Sequence, residues 1–282
     1  MWILLVLLYG ILKGVREVIK KKALQNNTVM EVLVLYTALA FIMVIPDYKN
    51  AMGVNVSDLF WIGVKSFVIF LAWIFSFKAI DKMPISIYGV LDLSRVLFAT
   101  LLGVAVLKEV LSLPQMLGLA FVCLGLVMLN QRRRLSSYKA EKVESVYVII
   151  AIASCMLNAL SGLMDKILMK RVNSSQLQFW YMLFLLLFYL IYVFAAKIKI
   201  RWVYTFKNGW IWVLSFLFII ADRALFIANG MEGSRVTVMT LIKQSGSLVT
   251  ILAGKFIFKE KNIGYKLICA GVIIIGIMIG VI

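Results

Sequence analysis

The sequence predicts an all-α integral membrane protein with ten transmembrane helices arranged as two inverted five-helix repeats (5+5). Three observations predict it. Of 282 residues, 63% are hydrophobic and only three are proline, whereas a soluble domain averages about 45–50% apolar. Apolar runs close to the roughly 20 residues that cross a bilayer recur along the whole length. Finally, residues 77–131 lie on 228–282 at a fixed offset of 151 without a gap.

The apolar blocks fall at residues 2–22, 29–46, 57–78, 83–107, 112–131, 145–169, 175–196, 208–230, 234–257 and 261–282. The first begins MWILLVLLYGILKG, with no basic residue ahead of its apolar run. Further spans follow, so it reads as a transmembrane helix and not as a cleaved signal peptide. Pro46 follows the second block, and Pro84 and Pro114 open the fourth and fifth. Each stands near a helix end, where a missing N–H or a helix stop costs little. The longest hydrophilic stretch is QRRRLSSYKAEKVES, residues 131–145. It separates a first repeat, 1–131, and a second, 145–282, with a basic connecting loop at 132–144 between them.

In the self-match Ser94 meets Ser245, Gly103 meets Gly254, Gly125 meets Gly276, and LKE ending at Glu109 meets FKE ending at Glu260. Seven of 55 positions are identical, so the aligned punctuation carries more weight than the count. Five spans per half is an odd number, which inverts the second copy in the membrane. Inverted repeats are the architecture of secondary transporters, with the site at midplane between the halves.

The net charge of +17 sits mostly between apolar blocks, which points to loops facing anionic lipid and cytoplasm and away from nucleic acid. Loops after odd-numbered spans hold 18 Lys and Arg and those after even-numbered spans hold five. The positive-inside rule then places both termini outside. Cys123, Cys155 and Cys269 show no metal spacing and read as small buried hydrophobes. Histidine is absent, which removes the commonest general base and metal ligand. Without a paired-Asp motif an intramembrane enzyme is disfavoured. No glycine loop followed by Lys-Ser or Lys-Thr indicates direct ATP hydrolysis, and no metal or cofactor is expected.

The stretch MPISIYGVLDLSRVLFATLLGVAVLKEVLSLPQMLGLAFVCLGLVML resembles the drug/metabolite transporter superfamily, EamA type. The carrying features are a Pro near the start of the fourth helix, KE at its end and Q-x-x-G opening the fifth. LIKQSGSLVTILAGKFIFKEKNIGYKLICAGVIIIGIMIG repeats the idea, and NALSGLMDKILMKRVNSSQLQFWYML, 158–183, is similar to that family's junction of the sixth and seventh helices. The resemblance implies a ten-helix inverted-repeat carrier of small metabolites working by alternating access. Helices one, three, four, six, eight and nine would surround the cavity. It implies both termini inside, against the charge count, and the half-repeat match sets Lys243 opposite Asp92, so the halves differ chemically at the centre.

Seven cations remain inside the spans, Lys13, Arg16, Lys65, Arg95, Lys166, Arg223 and Lys243, with four acids, Glu17, Asp92, Asp165 and Asp222. A central charge costs about 2.5–3.5 kcal/mol on insertion scales, so each needs a partner, water or a function. Asp92 and Arg95, three apart, can pair on one helix face, as can Lys13 and Glu17, four apart. The charged spans are one, three, four, six, eight and nine, the same set that the resemblance puts around the cavity. Asp92, Arg95, Asp222, Arg223 and Lys243 lie nearest mid-span and are expected to bind substrate, joined by Tyr88 and Trp73. Arg16, Glu17, Lys65, Asp165 and Lys166 are candidates for coupling or gating. Structural roles compete with these: a buried Asp92–Arg95 pair holding register, separate bridges from Asp222 and Arg223, and lysines snorkelling from near span ends. Trp61, Trp210 and Trp212, near span ends, read as an interfacial belt. Gly10–Gly14 and Gly276–Gly280 are G-x-x-x-G packing candidates. Helices five and ten carry no interior charge and are expected to pack together or to form a homodimer.

The cation excess suggests an anionic or zwitterionic cargo met by Arg and Lys. Buried aspartates are candidates for carrying a coupling proton, because burial disfavours the carboxylate. The leading expectation is a secondary transporter in a prokaryotic cell (inner) membrane that exports a small amino-acid-like metabolite. The alternatives are an importer of organic phosphate or of a quaternary amine caged by aromatics, and a passive channel or assembly factor. The expected partners are the small-molecule substrate and membrane lipid, with no nucleic acid.

Overall fold

The structure, a computed structural model, describes residues 2–108, 110–135, 143–260 and 263–281. Glu109, in the self-match above, lies outside the described residues, as do Lys139, Lys142 and Lys261 among the 18 basic residues counted and the middle of the connecting loop. Among the described residues every regular element is helical. The first part of the chain forms α1 (Trp2–Ala23), α2 (Val29–Val44), a 3₁₀ turn (Ile45–Asp47), α3 (Tyr48–Ala51), α4 (Val56–Lys82), α5 (Ile85–Asp92), α6 (Arg95–Leu107) and α7 (Leu113–Leu135). The second forms α8 (Ser145–Leu168), α9 (Ser174–Ala195), α10 (Trp202–Phe206), α11 (Gly209–Gly230), α12 (Val236–Lys243), α13 (Ser245–Phe256) and α14 (Ile263–Val281). Six helical stretches, counting α2 through α3 and α5 through α6 as one each, are long and apolar enough to cross a bilayer, and the chain is an integral multi-pass membrane protein. The first helix is long enough as well, but Lys13, Arg16 and Glu17 interrupt its apolar run.

The sequence reading differs from these elements in kind more than in boundary. The fourth and ninth expected spans are each broken, at Leu93–Ser94 and at Gln244. The five-residue α10 was not expected at all. The two breaks fall at residues that the offset of 151 places opposite each other, Leu93 and Gln244. The same offset pairs Lys108 and Lys259, both left-handed with φ 56° and 51°; Lys108 is the C-cap of α6, and Lys259 lies three residues past the end of α13.

Helix ends are tied by specific side chains. Thr28 and Glu31 form a capping box on α2, and Asn173 and Gln176 form another on α9. Proline at α5's N-cap offers no side-chain acceptor. Glu260 supplies one, its Oε1 accepting from the N–H of Ile85 at 2.7 Å while its other oxygen accepts from Ser86. A carboxylate at a helix N-terminus is favoured twice, by the hydrogen bonds and by the dipole. Lys21 does the reverse for α4, donating to the carbonyls of Ile80, Asp81 and Met83 at 2.5–3.0 Å.

Close packing runs through glycine. A methyl at Gly246 would meet the Gly10 carbonyl oxygen at 2.2 Å, and one at Gly14 would meet the Gly246 carbonyl at 2.3 Å. The first G-x-x-x-G is therefore where α1 lies against α13, one turn past its break. Helices α7 and α14 pack on each other, with Gly125 against Ile273 and Gly276 against Phe121. Cys155 and Cys269 are buried as expected, whereas Cys123 is exposed on the outer side of α7.

Gly246→Ala is expected to destabilise the fold by about 1–3 kcal/mol, because backbone on α1 must move to admit the methyl. Gly264→Ala, with nothing within 4 Å of the added carbon, is expected to be neutral or slightly stabilising. Melting of the two purified variants in detergent checks the contrast.

Candidate functional site

Six helices turn polar side chains onto one central space, and α2 and α9 add Tyr36 and Tyr181. The first helix presents Tyr9, Lys13, Arg16, Glu17 and Lys20, spaced three or four apart along one face. Opposite them stand Lys65, Trp73 and Ser76 on α4 and Asn158, Ser161 and Asp165 on α8. Arg95 enters from α6, Asp222 from α11, and Thr240 and Lys243 from α12. The space between the lining atoms, including its opening to solvent, measures about 820 Å³.

The charges pair across helices. Asp92 holds two cations: Arg95 donates to its Oδ1 at 2.6 Å, and Lys13 bonds its other oxygen. All three are buried or nearly so, and the group ties α1 to both sides of the α5–α6 break. Arg16 reaches Asp222 at 3.4 Å, and Lys65 reaches Asp165 at 3.1 Å. Glu17 is paired with Lys20 at 2.8 Å and not with Lys13, as the spacing alone suggested. The Lys65 ammonium also lies 3.4 Å from the centre of the Tyr181 ring.

Lys243 has no ion-pair partner among the described residues; its ammonium lies 5.6 Å from the centre of the Tyr9 ring. Six cations thus share the cavity and its wall with four carboxylates, counting Asp92 just behind Lys13. Arg16 Nε, Arg95 Nε and Glu17 Oε2 are buried with no hydrogen-bond partner among the described residues. An unpaired ammonium and two open guanidinium N–H groups can receive an anion. The wall facing them is aromatic, with Tyr36 stacked on Trp73 at 5.2 Å and Phe218 edge-on to both.

The expected site residues fall into three groups. Arg95, Asp222, Lys243, Trp73, Arg16, Glu17, Lys65 and Asp165 line the cavity. Asp92 and Tyr88 line a smaller recess behind it, with Gly246 and Thr250, and Tyr88 shares a 2.7 Å hydrogen bond with Ser76. Arg223 and Lys166 face elsewhere. Arg223 binds Asp47, Ser175 and Gln178, each at 2.6 Å, and so clamps α9 and the α2 end to α11. Lys166 donates to the Asn229 carbonyl at 3.0 Å and to Ser234, at the end of α11. Both sit one residue from an acid that does line the cavity, and neighbouring helix positions point about 100° apart.

Lys20, Tyr9, Tyr36, Tyr181, Asn158 and Thr240 join the site without having been singled out. For Lys20 the signal was present: 13, 16, 17 and 20 continue one helical face, but its place in the run Lys20–Lys22 made it look like loop charge. Among the described residues no group of His, Cys, Asp or Glu is arranged to hold a metal ion.

Residues 1–131 match the model of the EamA-like transporter family. A crystal structure of another protein, 15% identical, aligns with a TM-score of 0.66 over 98% of this chain and 96% of that one. At that identity the likeness speaks for the fold alone. No curated protein matches the chain.

Asp92→Asn leaves Lys13 and Arg95 buried without a carboxylate, and is expected to cost about 3–5 kcal/mol. Arg223→Gln removes three hydrogen bonds at a half-buried site, and is expected to cost about 1.5–3 kcal/mol. Denaturation of the two variants checks the order; an equal or smaller loss for Asp92→Asn would show that its two cations do not depend on it.

Proposed function

We propose that this chain, whose residues 1–131 match the EamA-like transporter family, is a secondary active transporter that exports a small anionic or zwitterionic metabolite by alternating access. The observation that carries the reading is Lys243, an ammonium inside the membrane-embedded cavity with no carboxylate within ion-pair distance among the described residues. Placing it there costs free energy, which an anionic group of the cargo offsets when it binds. Arg95 and Arg16, with Nε groups open, are the groups placed to share that anion. The aromatic wall of Trp73, Tyr36 and Phe218 receives the rest of an amino-acid-like cargo.

Alternating access fits a ten-span, 5+5 inverted arrangement. In this reading α2 with α3, α5 with α6, and α12 with α13 each make one span, and α10 none. The breaks at Leu93 and Gln244 and the left-handed lysines 108 and 259 support two related halves, since each pair is 151 residues apart. Interrupted helices at matching places in two halves are where transporters of this architecture bind cargo. Asp222 and Asp165, each facing one cation across the cavity, are the carboxylates placed to take up a coupling proton. The proposed setting is a prokaryotic inner membrane.

Lys243→Ala is expected to lower flux in proteoliposomes by tenfold or more while the protein still folds, and Lys243→Arg to restore part of it. Flux of an identified cargo unchanged in Lys243→Ala would contradict the reading. Flux that never saturates with cargo concentration would favour a passive channel.

A further inference from the structure

The segment between α9 and α11 is built inside out for a solvent-exposed loop. Along residues 197–201 the isoleucines Ile198 and Ile200 pack on the core, while Lys197, Lys199 and Arg201 are exposed. The following α10 keeps its polar residue inward. Thr205 is buried and its hydroxyl accepts from Asn27 at 3.1 Å. Arg201 reaches Glu31 with Nε at 2.7 Å and Nη2 at 2.9 Å. Asn208 donates to the Asn27 side chain at 2.7 Å and to the Ala23 carbonyl at 3.2 Å. The polar side of α10 is therefore fastened to the turn between α1 and α2.

Its outer side is apolar. Trp202, Val203, Tyr204 and Phe206 are 53%, 74%, 49% and 53% exposed. Phe206 stands edge-on to Trp212 at 4.9 Å, and the Trp212 indole donates to the Phe206 carbonyl at 3.1 Å, so the aromatic patch is held in place. Water is the wrong solvent for such a face. Lipid chains alone are wrong too, because residues 197–210 hold four basic side chains and no acid, and Lys22 adds its ammonium 4.5 Å from the Trp210 ring centre. Large aromatics beside exposed lysines, at the ends of two apolar helices, match the chemistry of a headgroup region.

We infer that α10 and its flanks are a docking site for anionic phospholipid, the aromatics seated among glycerol and upper acyl chains and Lys199, Lys207 and Lys22 on the phosphate. Arg201 is a positioning residue: it is committed to Glu31 and orients the platform. The site is independent of the cavity and of any cargo. It fixes the depth at which the α9–α11 end of the protein rides in the membrane, and makes stability at that end depend on lipid charge.

Full-length protein in mild detergent is titrated with phosphatidylglycerol carrying brominated acyl chains, which quench nearby tryptophan. Brominated phosphatidylcholine and inorganic phosphate form the other arms. Phosphatidylglycerol is expected to half-quench at a lower concentration than phosphatidylcholine. Lys199→Gln with Lys207→Gln is expected to raise the phosphatidylglycerol value by about fivefold per charge removed and to leave the phosphatidylcholine value unchanged. Trp202→Phe, Trp210→Phe and Trp212→Phe together should remove the saturable component. Equal curves for the two lipids, an unchanged curve in the lysine variant, or reversal of quenching by millimolar inorganic phosphate would each overturn the assignment. The lysine variant tests charge without disturbing the fold, since both side chains are exposed.

Discussion

The arrangement depends first on one carboxylate. Asp92 sits at the end of α5, just before the helix breaks, and pairs with Lys13 of α1 and Arg95 of α6 together. Without it two cations would face each other in a medium where a single charge already costs several kcal/mol. With it, α1 is fastened to both segments of a broken helix. The close approach of α1 to α13 follows on the other side, where Gly10 and Gly14 admit the Gly246 backbone. The first helix thus bridges the two breaks, at Leu93–Ser94 through charge and at Gln244 through absence of side chains. Lys13, Arg16, Glu17 and Lys20 line the cavity because α1 is held there.

From that constraint the unequal chemistry of the two breaks makes sense. Where one half has the acid Asp92, the residue at the matching place is Lys243. Each cation at the first break shares a carboxylate, whereas Lys243 at the second has none within ion-pair distance among the described residues. A cavity with complete ion pairing would bind an anion only by breaking a pair; one with a cation left over needs no such rearrangement. In the proposed reading the pairs Arg16–Asp222 and Lys65–Asp165 are the ones placed to exchange partners as a cargo or a proton arrives. At the periphery the same principle is served by clamps. Arg223 spans Asp47, Ser175 and Gln178, and Glu260 caps α5 from the end of α13, so these polar groups outside the cavity are satisfied by structure.

Much of this was legible in the sequence. Helices followed from apolar block length, and the charges that line the cavity come from the six apolar blocks in which a lone charge stands out. Direction around the helix was the weaker point. Asp222 and Arg223, or Asp165 and Lys166, are adjacent in sequence yet face opposite duties, and only the 100° step per residue separates them. Lys20 hid in a basic run although its phase with Lys13, Arg16 and Glu17 marks it as lining. The partners of Asp92 and Glu17 depended on which helices meet, which no local spacing fixes. The breaks at Leu93 and Gln244 carry neither proline nor, at the break itself, glycine, so nothing in composition announced them. The short α10 hid for a different reason: its aromatics looked like span ends, and its polar fastening to Asn27 and Glu31 is long-range.

The most direct test of the central claim, that the membrane-embedded cavity holds an anion-receiving centre at Lys243, is the melting of purified protein against a panel of amino acids, organic phosphates and quaternary amines. A ligand at 100 times its dissociation constant stabilises by about 2.7 kcal/mol. The account predicts a stabilising shift from carboxylate- or phosphate-bearing compounds that is lost in Lys243→Ala. A shift from quaternary amines alone, or one that survives intact in Lys243→Ala, would contradict it.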